Sequence, residues 1–207
     1  KLAELNNPKY KVSLIIKACV QDADVLYEAV KHIVKQTACP DAFDEKILAL
    51  DIRREDFLRE YNKNGNWKKL LNVSQKLVNE KVVNKFIYPA EADISEINHK
   101  WFGIESLQTH THNKIPVSSQ LFAFEQANND YVLQIDFDAM IGRLNQEHSF
   151  LNDMFAEFDK NERVLSAGFN IYKGKQKVFT PYFGFENDSL VPEVRFCLLN
   201  KKRIEKI

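Results

Sequence analysis

The sequence predicts an α/β protein, a mainly parallel, Rossmann-like sheet flanked by helices. Short apolar runs rich in β-branched residues, Lys11–Ile16 (KVSLII), Lys46–Asp51 (KILALD) and Tyr131–Ile135 (YVLQI), suit strands buried on both faces. Longer segments with apolar residues at helical spacing lie between them. Such alternation builds a parallel sheet whose ligands bind at the carboxyl ends of the strands.

Lys11–Ile16 is too brief for a helix and takes a central place in the sheet. Asp22 or Asp24 can cap the next segment, where Val25, Leu26, Ala29, Val30, Ile33 and Val34 share a face before Pro40 forbids continuation. After the Lys46–Asp51 strand, Trp67–Asn79 forms an amphipathic helix through Trp67, Leu70, Leu71, Ser74, Leu77 and Val78. Val82–Tyr88 reads as a third strand ending at Pro89, and the polar stretch Glu91–Ile115 as long loops or short helices. Pro116 opens a helix over Val117–Ala127, and Asn128-Asn129-Asp130 turns into the fourth strand, which ends at Asp136. Asn145–Phe158 aligns Phe150, Leu151, Met154, Phe155 and Phe158 on one helical face, a spacing that marks core rather than a sugar platform. Val164–Tyr172, Lys177–Phe183 and Glu193–Leu199 close the list of strands, and Lys201–Ile207 begins another helix.

With 29 Lys+Arg against 29 Asp+Glu, the 207-residue chain has a formal charge of zero, which gives no electrostatic ground for a nucleic-acid partner. Its apolar runs fall far short of the roughly 20 residues of a spanning helix, so no integral membrane segment is expected. Cys19, Cys39 and Cys197 are too few and scattered for a disulfide framework or thiolate metal site, in keeping with a reducing cytoplasm. Residues 1–10 read as an N-terminal extension and 11–207 as a single domain. A start at Lys1 and a stop at Ile207, just inside a helix, read as the ends of a fragment truncated at its C-terminus.

The sharpest local signal is Gln134-Ile135-Asp136-Phe137-Asp138-Ala139, two carboxylates one residue apart where a buried strand ends. Alternate strand residues share a face, so Asp136 and Asp138 are expected to converge and offer hard oxygens to Mg²⁺ or Mn²⁺ carrying substrate phosphates. The bland reading is a strand-terminal turn with a helix cap, and Asp22-Ala23-Asp24 repeats the spelling. His110-Thr111-His112 could put two imidazoles on one side, but no third ligand is near, and a solvated loop is the preferred reading.

Three stretches, KVSLIIKACVQDADVLYEAVKHIVKQT, FDEKILALDIR and PVSSQLFAFEQANNDYVLQIDFDAMI, carry a resemblance. From about Lys11 to Asn200 the chain resembles the GT-A fold of family-2-like glycosyltransferases, which use nucleotide-sugar donors. The resemblance implies that Ala18 and Cys19 lie along the nucleotide, Asp51 accepts a hydrogen bond from the base, Asp136 approaches the ribose and Asp138 ligates Mn²⁺ or Mg²⁺. It implies a UDP-sugar donor, a saccharide or lipid-linked acceptor, transfer with inversion, and a place in the cytoplasm peripheral to the membrane. Departures are present: Asp51-Ile52-Arg53-Arg54 replaces the family's Asp, Gly and Ser, and Ala18-Cys19-Val20 replaces Thr-Tyr-Asn. The family's Arg-Asn pair falls on Gln120 and Leu121, leaving Arg53, Arg54, Lys114 or Arg143 to meet a pyrophosphate.

An inverting transfer needs a general base for the acceptor hydroxyl. The family's base follows the strand that resembles Glu193–Leu199, and this chain ends within several residues of it, so the base itself is expected to be missing; Glu186, Asp188 and Glu193 are the weak acidic candidates before the end, in a stretch for which a mobile loop is the preferred reading. Tyr172, Tyr182 and Phe183 are candidate acceptor contacts. Two other readings stand beside this one. One is a nucleotide-sugar binding module without turnover. The other is a haloacid-dehalogenase-like phosphohydrolase in which Asp136 attacks phosphorus, opposed by the late position of the motif and by Met140.

Overall fold

The computed structural model describes residues 10–38, 43–51, 65–112, 115–168, 171–173, 176–178 and 195–207. Cys39, Arg53, Arg54, Lys114, Tyr182, Phe183, Glu186, Asp188 and Glu193 lie outside the described residues, as does the side chain of Tyr172.

The chain alternates strand and helix through its first two thirds: β1 Val12–Cys19, α1 Leu26–Thr37, β2 Glu45–Asp51, α2 Trp67–Asn79 and β3 Lys85–Ile87. Next come α3 Glu91–Phe102, α4 Ser118–Glu125, β4 Tyr131–Asp136 and α5 Phe150–Lys160. Short strands finish it: β5 Ser166–Gly168, β6 Ile171–Lys173, β7 Gln176–Val178 and β8 Phe196–Asn200, followed by α6 Lys201–Ile204. The main sheet has six strands in the order β3-β2-β1-β4-β8-β5, and β6 pairs with β7 separately. Strands β3, β2, β1 and β4 are mutually parallel, and β8 enters antiparallel between β4 and β5. This is a mixed α/β, Rossmann-like fold with a mostly parallel sheet.

Strand alternation sorts side chains into two layers. Leu14, Ile16 and Ala18 join Leu26 and Ile33 of α1, Leu70 and Leu77 of α2, and Phe155 and Phe158 of α5 in the larger core. Ile15, Ile47, Ala49 and Val132 face Ala123 and Phe124 of α4, with Trp101 of α3 alongside. Each fully buried side chain of this size contributes about 1.5–3 kcal/mol of burial free energy. Phe150, Phe155 and Phe158 are core residues, as their spacing predicts. Tyr10, placed by sequence in an extension, stacks on Tyr131 and Phe155 and donates its hydroxyl to Asp159 at 2.8 Å.

Three elements differ from expectation. The strand expected over Val82–Tyr88 shrinks to β3, because Lys81 adopts φ 59° and Val82 N–H returns to the Leu77 carbonyl at 3.0 Å, closing the end of α2. The stretch from Glu91 holds a full 12-residue helix, α3, which Asp93 caps by accepting from Ala90 N–H at 2.7 Å and Gly103 ends at φ 65°. Helix α5 starts at Phe150 instead of Asn145, since the Ser149 hydroxyl accepts from Asn152 N–H, whereas Asn145 closes a local turn with Glu147.

Candidate active-site crevice

Strand order reverses at β1, with β2 on one side and β4 on the other, and a crevice at the carboxyl ends of such strands is where open α/β sheets bind ligands. Three of the residues singled out from sequence end these strands: Cys19 on β1, Asp51 on β2 and Asp136 on β4. Cys19 lies beside Asp51 in register, and Lys17 beside Asp136. By alternation all four belong to the sheet face that α3 and α4 cover, while Ala18 turns into the opposite core and is 5% exposed.

Two polar pairs line this face. Lys17 Nζ lies 2.9 Å from Asp136 Oδ1, and His110 Nε2 lies 2.9 Å from Asp51 Oδ2. The second pair is the more enclosed, with side chains only 7% and 9% exposed. Sequence reading left Lys17 out, although a charged residue one place beyond the run KVSLII was a signal, because burying a charge in a central strand demands a partner. It also placed His110 in a solvated loop, and the structure corrects this. His110 is packed against Asp51 while His112 is exposed, so the two imidazoles do not share a side.

The loop after β1 is held by its own residues. Asp22, buried at 1% exposure, accepts from Cys19 N–H at 2.6 Å and so shapes the 3-10 turn Val20–Asp22. It does not cap α1, whose first turn follows Val25 without a side-chain cap, and Asp24 pairs instead with Lys69 of α2. Gly65 approaches this turn so closely that a Cβ there would lie 2.8 Å from the Val20 carbonyl carbon and 2.9 Å from Gln21 N.

Strand alternation stops short of Asp138. The strand ends at Asp136, and Ala139 N–H bonds back to the Asp136 carbonyl at 3.0 Å, so Asp138 sits in a turn. Phe137 enters the larger core, and Asp138 lines a groove of about 250 Å³ with Glu28, Ala29 and His32 of α1. Among the described residues no group of three or more His, Cys, Asp or Glu is placed to hold a metal. One or two carboxylates completed by substrate phosphates are nonetheless the donor set Mg²⁺ ordinarily takes, so Asp138 with Asp136 fits a substrate-borne ion.

The substitutes considered for the family's arginine divide. Arg143 donates to the Gln36 carbonyl at 3.2 Å and lies over the Phe150 ring, bracing the end of α1. Gln120 Nε2 donates to Gln134 Oε1 at 3.0 Å on the crevice face. Lys17 is the cation that the described residues place beside Asp136. No helix among the described residues is long and apolar enough to cross a membrane.

No family model matches this chain, and no curated protein sequence does. Among solved structures, the apo structure of the WbbM bifunctional glycosyltransferase resembles it at 12% identity and a TM-score of 0.47. The match covers 96% of this chain and 33% of that one, so the chain spans about a third of the other's length.

Proposed function

We propose that the chain is a nucleotide-sugar-binding glycosyltransferase domain. The observation that carries this reading is the meeting of Cys19, Asp51 and Asp136 on one sheet face at the point where strand order reverses. Asp51 accepts a hydrogen bond from the base, Ala18 and Cys19 border the nucleotide through the β1 end, and Asp136 faces the ribose. Lys17, displaced from Asp136 when the donor enters, supplies positive charge near the sugar-phosphate.

Asp138, with Asp136, would hold Mg²⁺ or Mn²⁺ against the diphosphate. Such an ion neutralises the charge that grows on a nucleoside diphosphate leaving group. Transfer with inversion needs a base near the acceptor hydroxyl, and Glu186, Asp188 and Glu193 are its candidates. A UDP-sugar is the donor this reading prefers, with a saccharide or lipid-linked acceptor.

Calorimetric titration of UDP, GDP, TDP and CDP, with and without Mn²⁺, tests the reading. Metal-dependent binding of one nucleotide is expected, weakened at least about tenfold in Asp138→Ala, the loss of roughly one strong charged contact. Failure of all four nucleotides to bind, or equal binding by Asp138→Ala, would count against it.

A further inference from the structure

Lys17 is the one charged residue of β1. It sits between Ile16 and Ala18, both buried, and Ala49 stands in register beside it on β2. On its other side is Asp136, with Oδ1 2.9 Å from the Lys17 Nζ. The Lys17 side chain is 17% exposed, whereas the lysines of the other lysine–carboxylate pairs between described residues are 37–69% exposed. An enclosed ammonium in a central strand incurs desolvation that an apolar residue would avoid, so stability alone does not account for the pair.

The sheet fixes one member of the pair and leaves the other movable. Phe137 N–H donates to the Lys17 carbonyl at 3.0 Å and Asp136 N–H to the Arg195 carbonyl at 2.9 Å, so the backbone at Asp136 is bonded on both sides. The flexible four-carbon stem of Lys17 lets its ammonium swing without disturbing that ladder. While it rests on Asp136, it competes with cations from solution at the high effective concentration of a tethered group. Separating the two is costly, because each half-enclosed charge would lose its partner. Two events together offset that cost: a phosphate group gives Lys17 a new charge-assisted acceptor, and a divalent ion gives Asp136 a new cation. Either event without the other leaves one enclosed charge unpaired. We propose that Lys17 is a resident counter-ion that couples the two, so that the crevice accepts a divalent ion only together with a phosphate-bearing ligand and Lys17 moves from Asp136 to that phosphate. The proposal rests on the nucleotide-sugar reading above and assigns how the ion and the donor arrive.

Binding of Mn²⁺ to the whole chain, read from the electron paramagnetic resonance signal of the free ion, tests it in wild type, Lys17→Met, and Lys17→Met combined with Asp136→Asn. Without nucleotide, Lys17→Met is expected to bind Mn²⁺ at least about tenfold more tightly than wild type, since one strong competing charge is gone, and Asp136→Asn cancels the gain. Saturating UDP raises the Mn²⁺ affinity of wild type, and raises that of Lys17→Met about tenfold less, because the coupling has been removed. Equal Mn²⁺ affinity in wild type and in a Lys17→Met variant that retains the wild-type circular dichroism spectrum would overturn the proposal, as would a gain that survives Asp136→Asn. If Lys17→Met does not fold, Lys17→Gln, which keeps an N–H for Asp136 without the charge, takes its place. Should neither fold, wild-type amide signals decide: broadening at Lys17 and Asp136 by Mn²⁺ alone refutes the proposal, and broadening only after UDP is added supports it. Wild type that binds no UDP, with or without Mn²⁺, defeats the nucleotide-binding reading itself; UDP binding with a Mn²⁺ affinity indifferent to Lys17 defeats this proposal alone.

Discussion

At the scale of single residues, a heavily bonded charge lies at the opposite end of the sheet from the crevice. Glu45, whose side chain is 9% exposed, accepts from Ser13 Oγ at 2.8 Å, Asn128 N–H at 3.0 Å and Asn128 Nδ2 at 2.7 Å, and pairs with Lys85 Nζ at 2.8 Å. It thereby ties β1, β2, β3 and the turn before β4 together. Burial pushes its carboxyl pKa up, but the bonds from Lys85, Asn128 and Ser13 outweigh burial and hold it below its ordinary 4.5. The stability this group supplies is therefore fully present above pH 4.5 and is lost as pH falls through the lower native value. Glu45→Gln is expected to cost about 2–4 kcal/mol at neutral pH, because it strands buried donors. Urea unfolding from pH 7 down to pH 3 checks both parts, since the variant should also show a flatter fall in stability below pH 4.5 than wild type. Equal slopes would mean that Glu45 is not a linked group.

Among elements, the loop after β1 depends on a residue far from it in sequence. Gly65→Ala would press a methyl group into the Val20–Gln21 backbone, which cannot yield as a flexible side chain can. The expected result is a stability loss of about 1–3 kcal/mol, the usual range for overpacking, together with weakened nucleotide binding as Cys19 and its neighbours shift. Thermal melts and titration of the same variant read the two effects, and unchanged binding would separate this loop from the site. Boundaries were legible where one local rule governs. Trp67–Asn79 is the helix its spacing predicts, and Tyr131–Asp136 ends where the D-x-D begins. They were illegible where apolar residues serve a neighbouring element: Val82 and Val83 look like strand residues but staple the end of α2. Helix α3 hid behind its polarity, although Pro89 before it and Gly103 after it were stop signals present in the sequence.

Across the whole molecule, alternation of strand and helix was enough to foresee a mostly parallel sheet. Strand order was not, because local periodicity carries no information on which strands pair: the antiparallel entry of β8 between β4 and β5 is a long-range fact. The same limit explains the site. Asp51 and Asp136 could be named because each ends a strand, whereas the partners of Lys17 and His110 become visible only when β4 and the segment after α3 are folded against them. Asp138 was read as a continuation of the strand, whereas a turn replaces the strand at Phe137.

The most direct test of a nucleotide crevice at the β1 and β4 carboxyl ends is amide chemical-shift mapping of the isotopically labelled chain during titration with UDP and Mg²⁺. The expected outcome is perturbation concentrated at Lys17–Asp22, Asp51, Thr109–Thr111 and Asp136–Asp138, with Glu45 and Asn128 at the far end of the sheet unmoved. Binding that instead shifts residues around Glu45, or saturating UDP that leaves the Asp51 and Asp136 amides in place, would contradict the assignment of this crevice as the donor site.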